Sequence, residues 1–265
     1  MMMKNLVLKT LYDRRWFAIG WASAFFFMSL LVVLFYPSFS SSFQIDQMTA
    51  NLPDALKGIL GDVGNLKTIK GYLADQLYNI RIPLFMLIMA IVLGLGLSVS
   101  DEESGKLRTL LSAPISRSKV LLSRLLSAVL IIGFISIATT IATYLGILLI
   151  HESAPHLVIW QLCALSWLFG SVAVSIVIGI GMATGIRSLT TGISLFITIG
   201  SFILSTFGAA VSWLQPYEKY SLLHYYNATG LVKNSFNLSD ITVLASVLFI
   251  STVIGLISFR TRDVQ

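Results

Sequence analysis

The chain has 265 residues, 56% of them hydrophobic and only 11% charged, with a mean hydropathy of +0.85. A soluble domain carries about 25% charged residues, so the composition excludes an ordinary soluble fold and indicates an all-α integral membrane protein. The net charge of +6 comes from basic residues that flank apolar runs; they report topology by the positive-inside rule and build no exposed basic face for nucleic acid.

Residues 4–15 set Leu6, Val7, Leu11 and Tyr12 among Lys4, Lys9, Asp13, Arg14 and Arg15. This pattern predicts a short amphipathic helix lying on the inner membrane surface, in contact with lipid; an ordinary basic flank is the plainer alternative. The apolar run that follows is too long for a signal peptide and predicts a first span at about 16–36. Five more spans read at about 82–100, 120–150, 157–185, 190–211 and 241–259. The third is longer than the hydrocarbon thickness requires, which predicts tilt or protrusion. Residues 1–265 thus read as one transmembrane domain.

Between the first two spans, residues 37–81 predict an external loop with short helices, broken by Gly58, Gly61 and Gly64, after which 68–78 is again amphipathic and leads into the second span. A second external segment, 212–239, is rich in Trp213, Tyr217, Tyr220, Tyr225 and Tyr226. Its aromatics suit the membrane–water interface and predict re-entrant or surface-lying helices before the sixth span. Counting Lys and Arg gives twelve on one side and five on the other, with Arg81 at a boundary. That asymmetry places both termini and the segment after the second span in the cytoplasm of a cell (plasma) membrane protein.

The spans carry almost no ionisable residue, which argues against an ion-driven transporter or proton relay. The only cysteine, Cys163, lies in an apolar run and reads as a small packed hydrophobe. His151, His156 and His224 all fall on the external side, no hydrolase or metalloprotease motif is present, and no metal site is expected. Gly105-Lys106 is followed by Leu107 and lacks the preceding glycine of a phosphate-cradling loop. The chain therefore reads as no enzyme, with no cofactor of its own. The spans' many small residues, among them Gly94, Gly96, Gly179, Gly181, Gly192 and Gly200, predict close helix packing.

The charged segment 100–119 stands between two very apolar spans. Ser100 and Glu103 match a capping box at a helix start, Asp101, Glu102 and Glu103 occupy its first turn, and Glu102 with Lys106 form an i,i+4 pair. Leu107, Leu110 and Leu111 share one face, Pro114 ends the helix, and Ser116 can cap the next. The spacing predicts a short amphipathic helix at about 101–113, leucines inward and charges outward. It reads either as a solvated connector or as a docking element for a cytoplasmic partner.

This segment resembles a motif between the second and third spans of ABC type-2 transporter permeases, E-x-x-G-T-L-E-x-L-L-x-x-P-[IV]-S-R. Glu102 or Glu103, Gly105, Leu107, Leu110, Leu111, Pro114, Ser116 and Arg117 match; Lys106 and Arg108 stand where Thr and Glu are common. The basic start, six spans, Leu52-Pro53-Asp54-Ala55-Leu56 in the outer loop and the late aromatic segment agree in layout. The resemblance implies a permease subunit of an exporter for drug-like, peptide or lipid-like substrates, working as a dimer, with homodimer the expected form. ATP and magnesium would belong to separate cytoplasmic ATPase subunits. Glu102, Glu103, Gly105, Lys106, Leu107, Arg108, Leu111 and Pro114 would form the coupling helix. A non-transporting scaffold or mechanotransmission subunit is the alternative.

Overall fold

The computed structural model describes residues 2–40, 68–112, 114–208, 211, 213–234 and 237–262. Every regular element among them is helical. Among the described residues, six helices are long and apolar enough to cross a membrane: Arg15–Ser40, Ile69–Glu103, Arg117–Leu149, His156–Thr184, Arg187–Phe207 and Leu238–Thr261. The protein is a multi-pass membrane protein built as a helix bundle. Helices satisfy their own backbone hydrogen bonds, which is what a segment without access to water requires.

The second and fourth spans form the interior, 78% and 72% buried over their most apolar windows, whereas the fifth and sixth are 17% and 11% buried. The third span packs along the first and fourth, and the fourth also packs on the second and sixth. Small residues set these distances. A Cβ on Gly255 would stand 2.9 Å from the Cα of Gly179, and one on Gly94 would stand 2.6 Å from the Cβ of Val177. Backbones that approach this closely gain dispersion contacts where lipid leaves little hydrophobic drive. By contrast, a Cβ at Gly192 or Gly200 on the fifth span would meet nothing within 4 Å. Hydroxyls inside the third span turn back to the preceding turn, as Thr139 and Thr143 do to the carbonyls of Ile135 and Thr139, each at 2.9 Å.

The long helix of the second span starts earlier than the apolar run suggests. Thr68 caps it through a bond from the Gly71 amide at 3.3 Å, and residues Leu73–Arg81 wind as a π-helix before the apolar stretch begins. Asp75 in that stretch is buried and accepts a bond from the Thr229 hydroxyl, and Asn79 accepts from the Ala228 amide at 3.1 Å. These bonds supply the polar partners that carry the helix beyond its apolar part. The first span likewise continues to Ser40, so helix intrudes on both ends of the predicted 37–81 loop. Residues 41–67, with the predicted short helices and the Leu52–Leu56 match, lie outside the described residues.

In the aromatic segment, a 3-10 turn at Gln215–Tyr220 and a helix at Ala228–Asn234 are described. Tyr226 is buried against Phe169 with ring centroids 4.7 Å apart, and its hydroxyl lies 3.0 Å from that of Ser166. Burial pushes the Tyr226 phenol far up its titration range, with the Ser166 bond opposing in part. Trp213, Tyr217 and Tyr220 are exposed, as residues at an interface are.

Candidate functional site

The charged segment lies at the end of the bundle that carries the N-terminal helix Met2–Asp13 and the close of the sixth span. Its geometry begins with a break in the second span. The helix runs to Leu97, Ser98 adopts φ −118°, ψ −87°, and helix resumes at Val99–Glu103. The Ser98 hydroxyl bonds back to the carbonyl of Gly94 at 2.6 Å. It therefore caps nothing ahead of it, and Ser100 falls inside the resumed helix instead of at its start. The predicted capping box does not form because the resumed helix already begins at Val99, with Ser98 in the N-cap position.

The last carbonyls of a helix lack partners within it. Here Arg14 donates to the carbonyl of Gly96, and Arg124 donates to that of Leu97 at 2.7 Å. Both guanidinium groups also meet Asp101: Arg124 at 2.9 Å and Arg14 at 3.7 Å. One carboxylate thus balances two cations, one at the junction of the N-terminal helix with the first span and one on the third span. Arg124 is only 5% exposed, so this pair is shielded from water and screened little by salt.

The other two carboxylates follow the same plan. Glu102 binds Arg262 after the sixth span, and Glu103 binds Arg187 at the start of the fifth at 3.1 Å. The first two pairs are sheltered and the third is open: the Asp101 and Glu102 side chains are 18% and 9% exposed and that of Glu103 47%. The predicted Glu102–Lys106 pair is absent because Gly105, at φ +71°, breaks the helix between them. A left-handed residue with a side chain costs about 1–2 kcal/mol there, and glycine avoids it.

A second short helix follows at Lys106–Leu111. Leu107 is fully buried, and Leu110 and Leu111 pack against the core. Lys106, Arg108 and Thr109 point to the exterior, as does Pro114. The predicted single helix over 101–113 is therefore two helices joined at Gly105. Ser116 takes the extended backbone of an N-cap for the third span but makes no side-chain capping bond. Arg117 reaches across to the end of the sixth span, donating to the carbonyls of Phe259 at 3.0 Å and of Arg262. Arg260 returns a bond to the Ser118 hydroxyl at 2.9 Å.

The basic N-terminal residues divide in role. Arg14 faces the Asp101 node, whereas Arg15 lies over the Tyr12 ring at 3.8 Å and Lys9 is exposed. The side chain of Lys4 is outside the described residues. Val7 is buried and its carbonyl accepts from Ser127 at 3.4 Å, while Leu8, Tyr12 and Trp16 form an exposed stripe.

Sequence reasoning named Glu102 and Glu103 but missed Asp101 as a third anchoring carboxylate, and Arg124, Arg187 and Arg262 as partners of the three. Arg124 carried a signal: a charge inside an apolar helix needs a partner. Among the described residues, no group of three or more His, Cys, Asp or Glu side chains is placed to hold a metal ion.

No curated protein matches the chain. The family model of the ABC-2 family transporter protein matches residues 4–264, from the N-terminal helix to beyond the sixth span. That domain is a non-catalytic permease, in keeping with a charged end that holds structural ion pairs and no phosphate-cradling loop. By its six-span architecture and this match across nearly its whole length, the chain belongs to the ABC-2 transporter permeases.

Proposed function

We propose that this chain is the membrane subunit of an ATP-driven exporter. Its partner is a cytoplasmic ABC ATPase that docks beneath the helix pair at 99–111, and both termini lie in the cytoplasm. The carrying observation is the distribution of the three acidic side chains. Asp101, Glu102 and Glu103 tie one short segment to the start of the first span, to the third and fifth spans and to the end of the sixth. A push delivered there reaches most of the bundle at once, as rigid-body coupling requires.

Two copies form the working unit, with the path between them. The low burial of the fifth and sixth spans, 17% and 11%, supports this, because those faces are uncovered in a single chain. Apolar surface with scattered Ser and Thr suits drug-like, peptide or lipid-like substrates better than ions.

The test is reconstitution with the ATPase in proteoliposomes, offered a panel of fluorescent lipids, hydrophobic cationic dyes and apolar peptides. ATP-dependent movement of a panel member is the expected result. ATP hydrolysis stimulated by the chain with no panel member moved would favour a non-transporting transmission subunit.

A further inference from the structure

The charged segment presents its two kinds of charge differently. Its three carboxylates are all engaged by arginines of the same chain. Lys106 and Arg108 are exposed, and among the described residues neither has an ion-pair partner. Lys119, just inside the third span beyond Pro114, is exposed as well. The half-exposed Glu103 adds no net charge, since the equally open Arg187 neutralises it.

We propose that the surface presented by this segment is a cationic docking face, centred on Lys106 and Arg108, and that the ATPase groove receiving it is acidic. This rests on the exporter reading and specifies its contact. Two cations flanking the buried Leu107 are fixed in direction by its packing, so they project from a held helix. Complementary charge across such a contact raises the association rate and excludes wrong partners more than it adds raw affinity.

The surface is built for water and protein, not for lipid. Among the described residues, no large hydrophobic side chain is exposed between Val92 and Leu122. The exposed residues described at 103–119 are all polar, charged or proline, Glu103, Ser104, Lys106, Arg108, Thr109 and Ser112 among them. The N-terminal helix and the opening of the first span at the same end are the contrast: Leu8, Tyr12 and Trp16 are 59%, 64% and 72% exposed, an apolar stripe suited to the membrane interface. A face with cations and no apolar wedge has little to insert into a bilayer.

The experiment places the permease in nanodiscs and measures binding of the ATPase subunit that supports its transport, across roughly 50–500 mM salt, where the screening length falls several-fold. The variant is Lys106→Glu with Arg108→Glu; the control reversal is Lys219→Glu at the opposite end. Expected results are an affinity for the ATPase that falls with salt, a loss of about tenfold or more in the double reversal, and wild-type binding in the control. Reversal of acidic groove residues on the ATPase to lysine then restores binding to the double variant. Unchanged ATPase binding with intact transport overturns the cationic dock while leaving the exporter reading standing. Loss of binding to vesicles containing phosphatidylglycerol, with ATPase binding unchanged, assigns the cations to lipid and overturns the proposal too. Failure of the wild type to bind any ATPase overturns the exporter reading and the dock together.

Discussion

Replacing Asp101 by Ala strands two cations. Arg124 loses the carboxylate 2.9 Å away while remaining 5% exposed, and Arg14 loses a partner at 3.7 Å. Opposite charges about 4 Å apart interact by about 4 kcal/mol at an effective dielectric constant near 20. Removing one member of a buried pair costs about 3–5 kcal/mol, because the remaining charge has nowhere to be solvated. The Arg14 contact, with its side chain 29% exposed, adds at most about 1 kcal/mol. The expected destabilisation is therefore about 3–5 kcal/mol, measured by denaturant unfolding in mixed micelles followed by tryptophan fluorescence. The double variant with Arg124→Met removes the stranded charge and should recover about 2–4 kcal/mol of that loss as coupling. A loss below about 1 kcal/mol for Asp101→Ala, or simple additivity in the double variant, would refute the node at the break in the second span.

The neighbouring carboxylates should follow their burial: Glu102→Gln costs roughly 1–3 kcal/mol as a charged bond in a partly closed site, while Glu103→Gln stays within about 0.5 kcal/mol. The same unfolding assay checks both, and equal effects would contradict the difference in their exposure. Gly255→Val should push the sixth span off the fourth, since even a Cβ there stands 2.9 Å from the Cα of Gly179. Overpacking of that kind costs about 1–3 kcal/mol; a variant as stable as the wild type would mean that the spans do not cross so closely. Lys106→Cys should react with an impermeant maleimide only after cell lysis, and Lys219→Cys in intact cells; the reverse pattern would invert the orientation drawn from the arginine and lysine count.

What the sequence disclosed and what it withheld divide along a physical line. Spans such as 157–185 and 241–259 are legible because length and apolarity alone decide them, and the structure has helices at His156–Thr184 and Leu238–Thr261. The start of the second span was half legible: 68–78 reads as an amphipathic stretch leading into it, but that the helix runs on unbroken shows only once Asp75 and Asn79 have their partners on 228–229. The charged segment shows the same limit. Local rules pair Glu102 with Lys106, four positions on. The structure instead pairs Glu102 with Arg262, 160 positions on. A left-handed glycine between the two local partners decided against the nearer one. Ion pairs of that range are set by how helices pack, which no window of sequence contains.

The link between the opening of the third span and the close of the sixth also orders the birth of the molecule. Arg117 and Glu102 are translated early, yet the carbonyls and the guanidinium they bind come 142 to 160 residues later. Until the sixth span is seated, Glu102 and Arg117 lack those contacts, and the segment is held chiefly through Asp101 and Glu103. Completion of the bundle and completion of the segment are thereby one event. An unfinished permease cannot present its finished inner surface, so a partner that reads that surface would engage only fully assembled copies.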